Sequence, residues 1–228
     1  MGEIWQGFLK AIELIITLDP EFVEIAGRSV MISATSSFLA SIICIPLGSF
    51  IHFYNFSGKR VVINIIQTLF SVPTVIIGLF VYVMLSRAGP LGALEWIFTP
   101  AAMIAGQVLL ISPIMLGLTI SALSGVNDVL RDTARSLGAN DFQAIMMILR
   151  EARYAVVSAF VMGFGRAISE VGCALMVGGN ISGFTRVITT TISLETSKGE
   201  LELAIALGIT LLCIALIINI ALNRIQQR

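Results

Sequence analysis

The sequence predicts an all-α, polytopic membrane protein that forms a bundle of about five transmembrane helices. Of its 228 residues, 57% are hydrophobic and only 12% are charged, whereas about 25% of the residues of an ordinary soluble domain carry a charge. The hydrophobic residues are also grouped into long stretches. Because about 20 apolar residues form a helix that spans the roughly 30 Å hydrocarbon core, each stretch is long enough to cross a bilayer.

Five segments are predicted to cross the membrane. All but the fourth lack a charged residue, and in chain order they are residues 29–51, 61–86, 97–127, 154–177 and 203–223. Several prolines lie within these segments or at their ends, where a helix bundle tolerates them and they can kink or break a helix. They are Pro46, Pro73, Pro100 and Pro113. Pro73 is also a candidate residue of a translocation path.

Residues 1–20 are predicted to form an amphipathic helix in the membrane interface, followed by a transmembrane domain of residues 21–228. The large apolar side chains of the first segment share one helical face: Ile4, Trp5, Phe8, Leu9, Ile12, Ile15 and Ile16. Asp19 and Pro20 are expected to stop this helix. It lacks the basic region and the cleavage site of a secretory signal. An interfacial helix is favoured, and a sixth, tilted span is the alternative.

The distribution of lysine and arginine predicts the orientation, since cytoplasmic loops carry an excess of both. With five spans, one side of the membrane receives Lys59, Arg60, Arg131, Arg135, Arg150, Arg153, Arg224 and Arg228. The other side receives Lys10, Arg28, Arg87, Arg186 and Lys198. We therefore expect a multi-pass protein of the plasma membrane with its amino terminus outside, its carboxyl terminus in the cytoplasm and residues 128–153 in the cytoplasm.

Residues 128–153, which we call the elbow, form a charged segment between two apolar ones. Gly138 can adopt the left-handed conformation that ends a helix, and Asn140 or Asp141 can cap the next helix. A polar helix–glycine–helix unit at a membrane face is typical of a docking site for a soluble partner, and a solvated loop without a partner is the alternative. Three side chains can form a compact apolar knob: Ala134, Leu137 and Phe142.

The fourth segment contains Arg166 and Glu170, which are four residues apart and can pair on one helical face. Charges near the middle of a bilayer cost about 2.5–3.5 kcal/mol on insertion scales and normally face an interior or a watery cavity. Two interpretations follow. Either the pair, with the neighbouring Ser169, belongs to a pore or gate where Arg166 attracts an anion, or it is a salt bridge that holds the bundle together.

The outer loop of residues 178–200 is rich in hydroxyl and basic side chains. Its candidate functional residues are Asn180, Thr185 and Arg186, accompanied by Thr189, Thr190, Thr191 and Lys198. The loop either closes the outer mouth of a path and meets an extracytoplasmic protein, or is a passive re-entrant connection.

Several classes of function are disfavoured. The Gly58-Lys59 pair is followed by Arg60, so the nucleotide-binding pattern G-x-x-x-x-G-K-[ST] is absent. The metalloprotease pattern H-E-x-x-H and the hydrolase pattern G-x-S-x-G are absent too. The net charge is zero, which gives no basic field for nucleic acid. We expect no catalytic residue, no metal and no cofactor bound by this chain.

The elbow resembles the E-A-A-x-x-x-G loop of ABC importer permeases, with Asp132, Thr133 and Ala134 at the E-A-A positions and Gly138 at the glycine. Longer segments are similar to permeases of molybdate, tungstate and related oxyanion importers, above all to the tungstate-type branch. They are SVPTVIIGL from Ser71, SRAGPLG from Ser86, TPAAM from Thr99, REAR from Arg150, GFGRAISEVG from Gly163 and VGGNISGFTRVITTTISLETSKG from Val177.

The resemblance implies a type I importer. Two copies of the permease would pair in the lipid bilayer, two cytoplasmic ATPase subunits would bind ATP and dock at the elbows, and an extracytoplasmic protein would deliver the oxyanion. The permease itself would do no bond chemistry. Substrate choice would rest mainly with the binding protein.

Other functions stay open from the residues alone. The chain could be the permease of an importer for sulfate, phosphate or an amino acid, or an ATP-independent carrier or channel. An intramembrane enzyme ranks last, because no catalytic groups are evident.

Overall fold

The computed structural model describes residues 2–17, 19–126 and 128–226. All regular secondary structure of these residues is helical. The α-helices are α1 (Gly2–Thr17), α2 (Pro20–Phe53), α3 (Lys59–Leu69), α4 (Thr74–Leu85), α5 (Pro100–Ser124), α6 (Asp128–Ser136), α7 (Asp141–Glu151), α8 (Arg153–Ile168), α9 (Gly172–Gly178), α10 (Ile188–Lys198) and α11 (Leu201–Gln226). A 3-10 turn, Gly92–Leu94, lies between α4 and α5. The predicted all-α fold is confirmed.

Two of the predicted spans are broken helices. Three helices, α2, α5 and α11, are each long and apolar enough to cross a membrane alone. The second predicted segment is instead divided into α3 and α4, which meet at 101°, and the fourth into α8 and α9, which meet at 61°. Among the described helices there are thus three spans, or five when each bent pair is one broken span.

The packing of α2 against α5 supports five crossings. Ile32 shares a buried cluster with Met103 of α5, and Phe53, at the other end of α2, shares one with Leu123. The two helices therefore run parallel, which requires one crossing between them. The α3–α4 pair provides it, because Lys59 bonds to the carbonyl of His52 while Leu85 reaches the cluster of Ile32.

The α8–α9 pair crosses in the same direction as α3–α4. Ile148 of α7, just before α8, packs with Phe53, and Val177 of α9 packs with Ile32. We call the end of the bundle at Phe53 the elbow end and the end at Ile32 the far end. Helix α11 starts at the far end, since Leu207 packs with Phe22 in the first turns of α2.

Helix α1 packs against α11 through small residues. A Cβ atom on Gly7 would lie 2.6 Å from Cγ2 of Ile205, and Ala11, one turn later, is buried. Small residues four apart allow such close approach of two helices. The large apolar side chains of α1 remain exposed, among them Trp5 and Ile16. In a bilayer this outward apolar face meets lipid, and Asp19, whose side chain caps α2, lies between the two helices in the chain.

Candidate functional site

The elbow is a tight reversal between two short helices. Gly138 has a φ of +85° and ends α6 as predicted. Its N–H donates to the carbonyl of Arg135, and the N–H of Ala139 donates to the carbonyl of Ala134, each at 3.0 Å. These bonds satisfy carbonyl groups that the end of a helix leaves without partners. The glycine thereby determines the direction in which α7 leaves.

Asn140, rather than Asp141, caps α7. The Asn140 side chain accepts a hydrogen bond from the N–H of Gln143 at 2.8 Å, and the Gln143 side chain accepts one from the N–H of Asn140 at 2.9 Å. This reciprocal pair is a capping box. Because the short amide already fills the capping position, Asp141 becomes the first helical residue, where its negative charge suits the positive end of the helix.

Asp141 bridges the two arms of the elbow. Its carboxylate accepts a hydrogen bond from Nη2 of Arg135 at 2.5 Å. This hydrogen bond, together with the nearby positive charge, lowers the pKa of Asp141 and raises that of Arg135. The pair is therefore ionised at neutral pH, and it is lost only as the pH falls through the lowered pKa of the carboxylate. Since both groups are exposed to solvent, it orients the arms more than it stabilises the fold.

The apolar knob of the elbow consists of two residues instead of three. Leu137 is 83% exposed and Phe142 is 71% exposed, so both project from the turn. Ala134 is only 5% exposed, which corrects the prediction that it lies on this surface. Asp132 and Thr133 are exposed, and the Thr133 hydroxyl bonds to the carbonyl of Val129. A larger side chain at position 134 would have to displace the neighbours that bury Ala134.

Helix α7 is anchored to the elbow end of the bundle. Ile148 and Ala152 are buried in one cluster with Phe53 of α2 and Leu123 of α5. The guanidinium carbon of Arg131 lies 5.6 Å from the centre of the Phe53 ring, a cation–π contact that holds α6 to the same point. A displacement of the elbow would therefore act directly on two long helices, as well as on α8, which follows α7.

The second candidate site is the break between α8 and α9, where Glu170 makes two contacts. One carboxylate oxygen lies 2.9 Å from Nη1 of Arg166, so the predicted pair forms. The other accepts the N–H of Cys173 at 2.8 Å, in the first turn of α9. The Glu170 side chain is 2% exposed and that of Arg166 is 32% exposed. Glu170 is thus a buried connector, whereas Arg166 keeps access to the surface.

Two residues outside the sequence-based predictions complete this break, Gln107 and, as a hydrogen-bonding group of the break, Thr189. The buried Gln107 of α5 donates from Nε2 to the carbonyl of Ala167 at 3.1 Å, and the Thr189 hydroxyl of α10 donates to the carbonyl of Glu170 at 2.8 Å. Oε1 of Gln107 accepts no hydrogen bond from the described residues. The available signal was an amide side chain inside the uncharged segment 97–127, away from its ends. Ser169, by contrast, is exposed and bonds to the carbonyl of Arg166.

The break between α3 and α4 lies beside the break between α8 and α9. Pro73 precedes α4 and occupies its N-cap position. A Cβ atom on Gly172 would lie 2.9 Å from Oγ1 of Thr74, and one on Gly78 would lie 3.0 Å from Cα of Cys173. The starts of α4 and α9 are therefore in backbone contact. Non-helical backbone at membrane depth is tolerated only inside protein or along a cavity, and here two such segments are adjacent.

Four threonine hydroxyl groups of the outer loop are buried inside the protein. Thr185 is fully buried, where it donates to the carbonyl of Gly178 at 2.5 Å and accepts the N–H of Ile181 at 2.9 Å. Asn180 adopts a φ of +50° in the same turn. The three threonines in the first turn of α10 are buried as well: Thr189, Thr190 and Thr191. These groups stabilise the loop, and its exposed apolar surface is formed by other residues, Ile181 and Phe184.

Comparison with protein families gives a match over most of the chain. Residues 44–228 match the model of the family described as the binding-protein-dependent transport system inner membrane component. The chain is 43% identical over 227 residues to a tungstate uptake system permease protein of Peptoclostridium acidaminophilum, with 100% of each protein covered. It is 35% identical to a tungstate uptake system permease protein of Campylobacter jejuni, with 98% of this chain and 94% of the relative covered.

A solved structure shares the fold. A chain of a bacterial alginate ABC transporter, crystallised in complex with a periplasmic protein that holds an alginate pentasaccharide, aligns with a TM-score of 0.78. The alignment covers 99% of this chain and 86% of that chain, at 21% sequence identity. At this identity the likeness concerns the fold alone.

Replacing Gln107 tests whether its amide holds the α8–α9 break. In Gln107→Leu the carbonyl of Ala167 loses its side-chain donor in an apolar interior, so we expect a loss of about 1–3 kcal/mol in the free energy of unfolding. Faster amide hydrogen exchange should be confined to α9. Gln67→Leu, on the exposed surface of α3, is the matched control. Equal stability and exchange in both variants would contradict the role assigned to Gln107.

Proposed function

The chain belongs to the binding-protein-dependent transport system inner membrane component family, and we propose that it is the permease subunit of an ATP-driven importer of tungstate. The full-length identity of 43% to a tungstate uptake permease carries this assignment. The chain forms the membrane part of the transporter, with no bond chemistry of its own. ATP is bound by a partner subunit, and an extracytoplasmic binding protein presents the oxyanion.

The assembly that this function requires is symmetrical. A single bundle leaves α4 with a largely apolar, exposed face that includes Val75, Ile76 and Phe80. A second copy of the permease would cover part of this surface and enclose a path between the two chains, and lipid would cover the rest. In this arrangement the elbow end faces the cytoplasm, in agreement with the lysine and arginine distribution, and α1 lies in the outer interface.

The elbow is the part that receives force from the ATPase. Leu137 and Phe142 project into solvent at the tip, while the base of α7 is buried among α2, α5 and α8. An exposed apolar knob on a rigid turn fits a groove on a soluble partner, since buried aromatic side chains contribute much of the binding energy of an interface. Movement of the groove would then displace the knob and, through Ile148, the long helices.

Substitution of Phe142 should uncouple the permease from the ATPase. Loss of its ring from the groove is expected to weaken association at least about tenfold in Phe142→Ala, and to lower substrate-stimulated ATP hydrolysis. Association is measured by titrating the ATPase subunit against the permease in nanodiscs. Phe56→Ala serves as the control, because Phe56 is an exposed aromatic residue of the same end outside the elbow. Unchanged association in Phe142→Ala would contradict docking at this knob.

Arg166 and Glu170 have different roles: Arg166 acts in the translocation path, and Glu170 stabilises the fold. Glu170 is buried and binds both Arg166 and the start of α9, so its role is structural. Arg166 donates one hydrogen bond to Glu170 from Nη1, and its side chain is partly exposed. A guanidinium carries further donors in a planar fork that matches an oxyanion. With its charge balanced by Glu170, Arg166 can attract tungstate without retaining it.

A pair of variants separates these roles. Arg166→Gln alone leaves Glu170 buried without its partner and should reduce both transport and stability. Combining Arg166→Gln with Glu170→Gln keeps an acceptor for the N–H of Cys173 and removes both charges, so stability should recover while transport stays at least about tenfold below the unmodified protein. Transport is followed as tungstate uptake into proteoliposomes, and stability by thermal unfolding. Full transport by the double variant would show that the pair is only structural.

Reconstitution tests the function itself. The permease, its ATPase and its binding protein are placed in liposomes, and ATP hydrolysis is measured with tungstate, molybdate or sulfate supplied. We expect the strongest stimulation with tungstate, and no uptake when the ATPase is omitted. Uptake without the ATPase would identify a carrier or channel, and stimulation by sulfate alone would identify a different importer.

A further inference from the structure

A cavity of about 350 Å³ lies at the far end of the bundle, away from the elbow and from the α8–α9 break, and residues of the outer loop form part of its lining. Four helices form its walls: α1, the start of α2, α10 and the start of α11. Its apolar side is formed by Leu14, Phe22, Ile25, Leu203 and Leu207. Since the spans α2 and α11 both begin here, the cavity lies at the level where the hydrocarbon core meets the head groups.

The opposite wall of the cavity is charged. Arg186 lies 3.5 Å from a carboxylate oxygen of the exposed Glu21, and Lys198 lies 2.8 Å from one of the buried Glu195. Nε of Arg186 is buried and has no hydrogen-bond partner among the described residues. Asp19 completes the charged wall and accepts the N–H of Phe22. Arg186 thus lines the cavity, and its buried Nε is a donor that no described residue satisfies.

We propose that this cavity binds the head group of a zwitterionic phospholipid, one that carries a phosphate and an amine. The Arg186 guanidinium and the Lys198 ammonium would bind the phosphate oxygens, because planar and point-charge donors both suit phosphate. The carboxylates of Glu195 and Glu21 would bind the amine. An acyl chain would lie against the apolar wall formed by α1 and α11.

The balance of charge decides against a free oxyanion. Two basic side chains, Arg186 and Lys198, face three carboxylates, those of Asp19, Glu21 and Glu195, so the lining is negative by one charge. A lone anion would have to compete with existing ion pairs in a negative surrounding. A zwitterion offers a partner of each sign. This inference does not depend on which substrate the importer carries.

The bound lipid would also hold α1 to the bundle. Leu14 brings α1 to the cavity wall, whereas its outward side chains face away from the protein. A lipid seated against Leu14 would therefore add to the contact that already joins α1 to Phe22 of α2 and Leu207 of α11.

Lipid retention measures this site directly. The full chain, with its ATPase subunit, is stripped of lipid in detergent, supplied with dioleoylphosphatidylethanolamine or dioleoylphosphatidylglycerol, and examined by native mass spectrometry. We expect phosphatidylethanolamine to be retained about tenfold more tightly than phosphatidylglycerol. Arg186→Gln should lower its retention about tenfold, whereas Arg87→Gln, at an exposed arginine of the same end, should not.

A second variant distinguishes a loss of lipid binding from a loss of folding. Leu203→Trp narrows the cavity from its apolar side and leaves every charged group in place, so it should also reduce retention, while an unfolding temperature close to that of the unmodified protein shows that the variant is folded. Unchanged retention in both Arg186→Gln and Leu203→Trp would overturn the proposal. Displacement of the lipid by millimolar inorganic phosphate or tungstate would overturn it as well, because it would identify a site for free oxyanions.

Discussion

The organisation of this bundle depends on one constraint: backbone polar groups inside an apolar environment must find partners within the protein. Two of the five crossings are interrupted helices, and each interruption releases backbone groups that a continuous helix would pair. At the α8–α9 break, the partners come from two other helices and from the break itself. Gln107 of α5, Thr189 of α10 and Glu170 itself each satisfy a released backbone group. The conformation of the break is therefore fixed by these hydrogen bonds, which also join α8 and α9 to the rest of the bundle.

This arrangement connects the elbow with the middle of the membrane. Ile148 joins the elbow to α2 and α5, and α8 leads from the elbow to Arg166 and Glu170. A displacement at Phe142 would be transmitted to the break through packed side chains, because close-packed protein interiors compress little and transmit strain. The contact of Gly172 with Thr74 would extend it to α4. Force applied at one end thus has a physical route to the segment where the proposed path lies.

Several residues show where sequence reasoning succeeds. The conformation of Gly138 and the pairing of Arg166 with Glu170 depend on neighbours a few positions away, and both predictions are confirmed. Predictions that particular side chains lie on the surface were less successful. Ala134 is buried although it belongs to the elbow, and Thr185 is buried inside a turn. Whether a small or polar side chain faces inward depends on which helices pack beside it, and this information is spread over the whole chain.

The sequence by itself determined the membrane class, the five crossing segments and the glycine that reverses the elbow, because hydrocarbon thickness and local backbone preference act on residues close in sequence. Tertiary structure alone decided that two crossings are broken side by side. It also brought Gln107 to the carbonyl of Ala167, 60 positions away, and Ser29 to the N–H of Ile188, 159 positions away. Such partners cannot be read from periodicity, since they form only when separate helices pack and a backbone group must be satisfied.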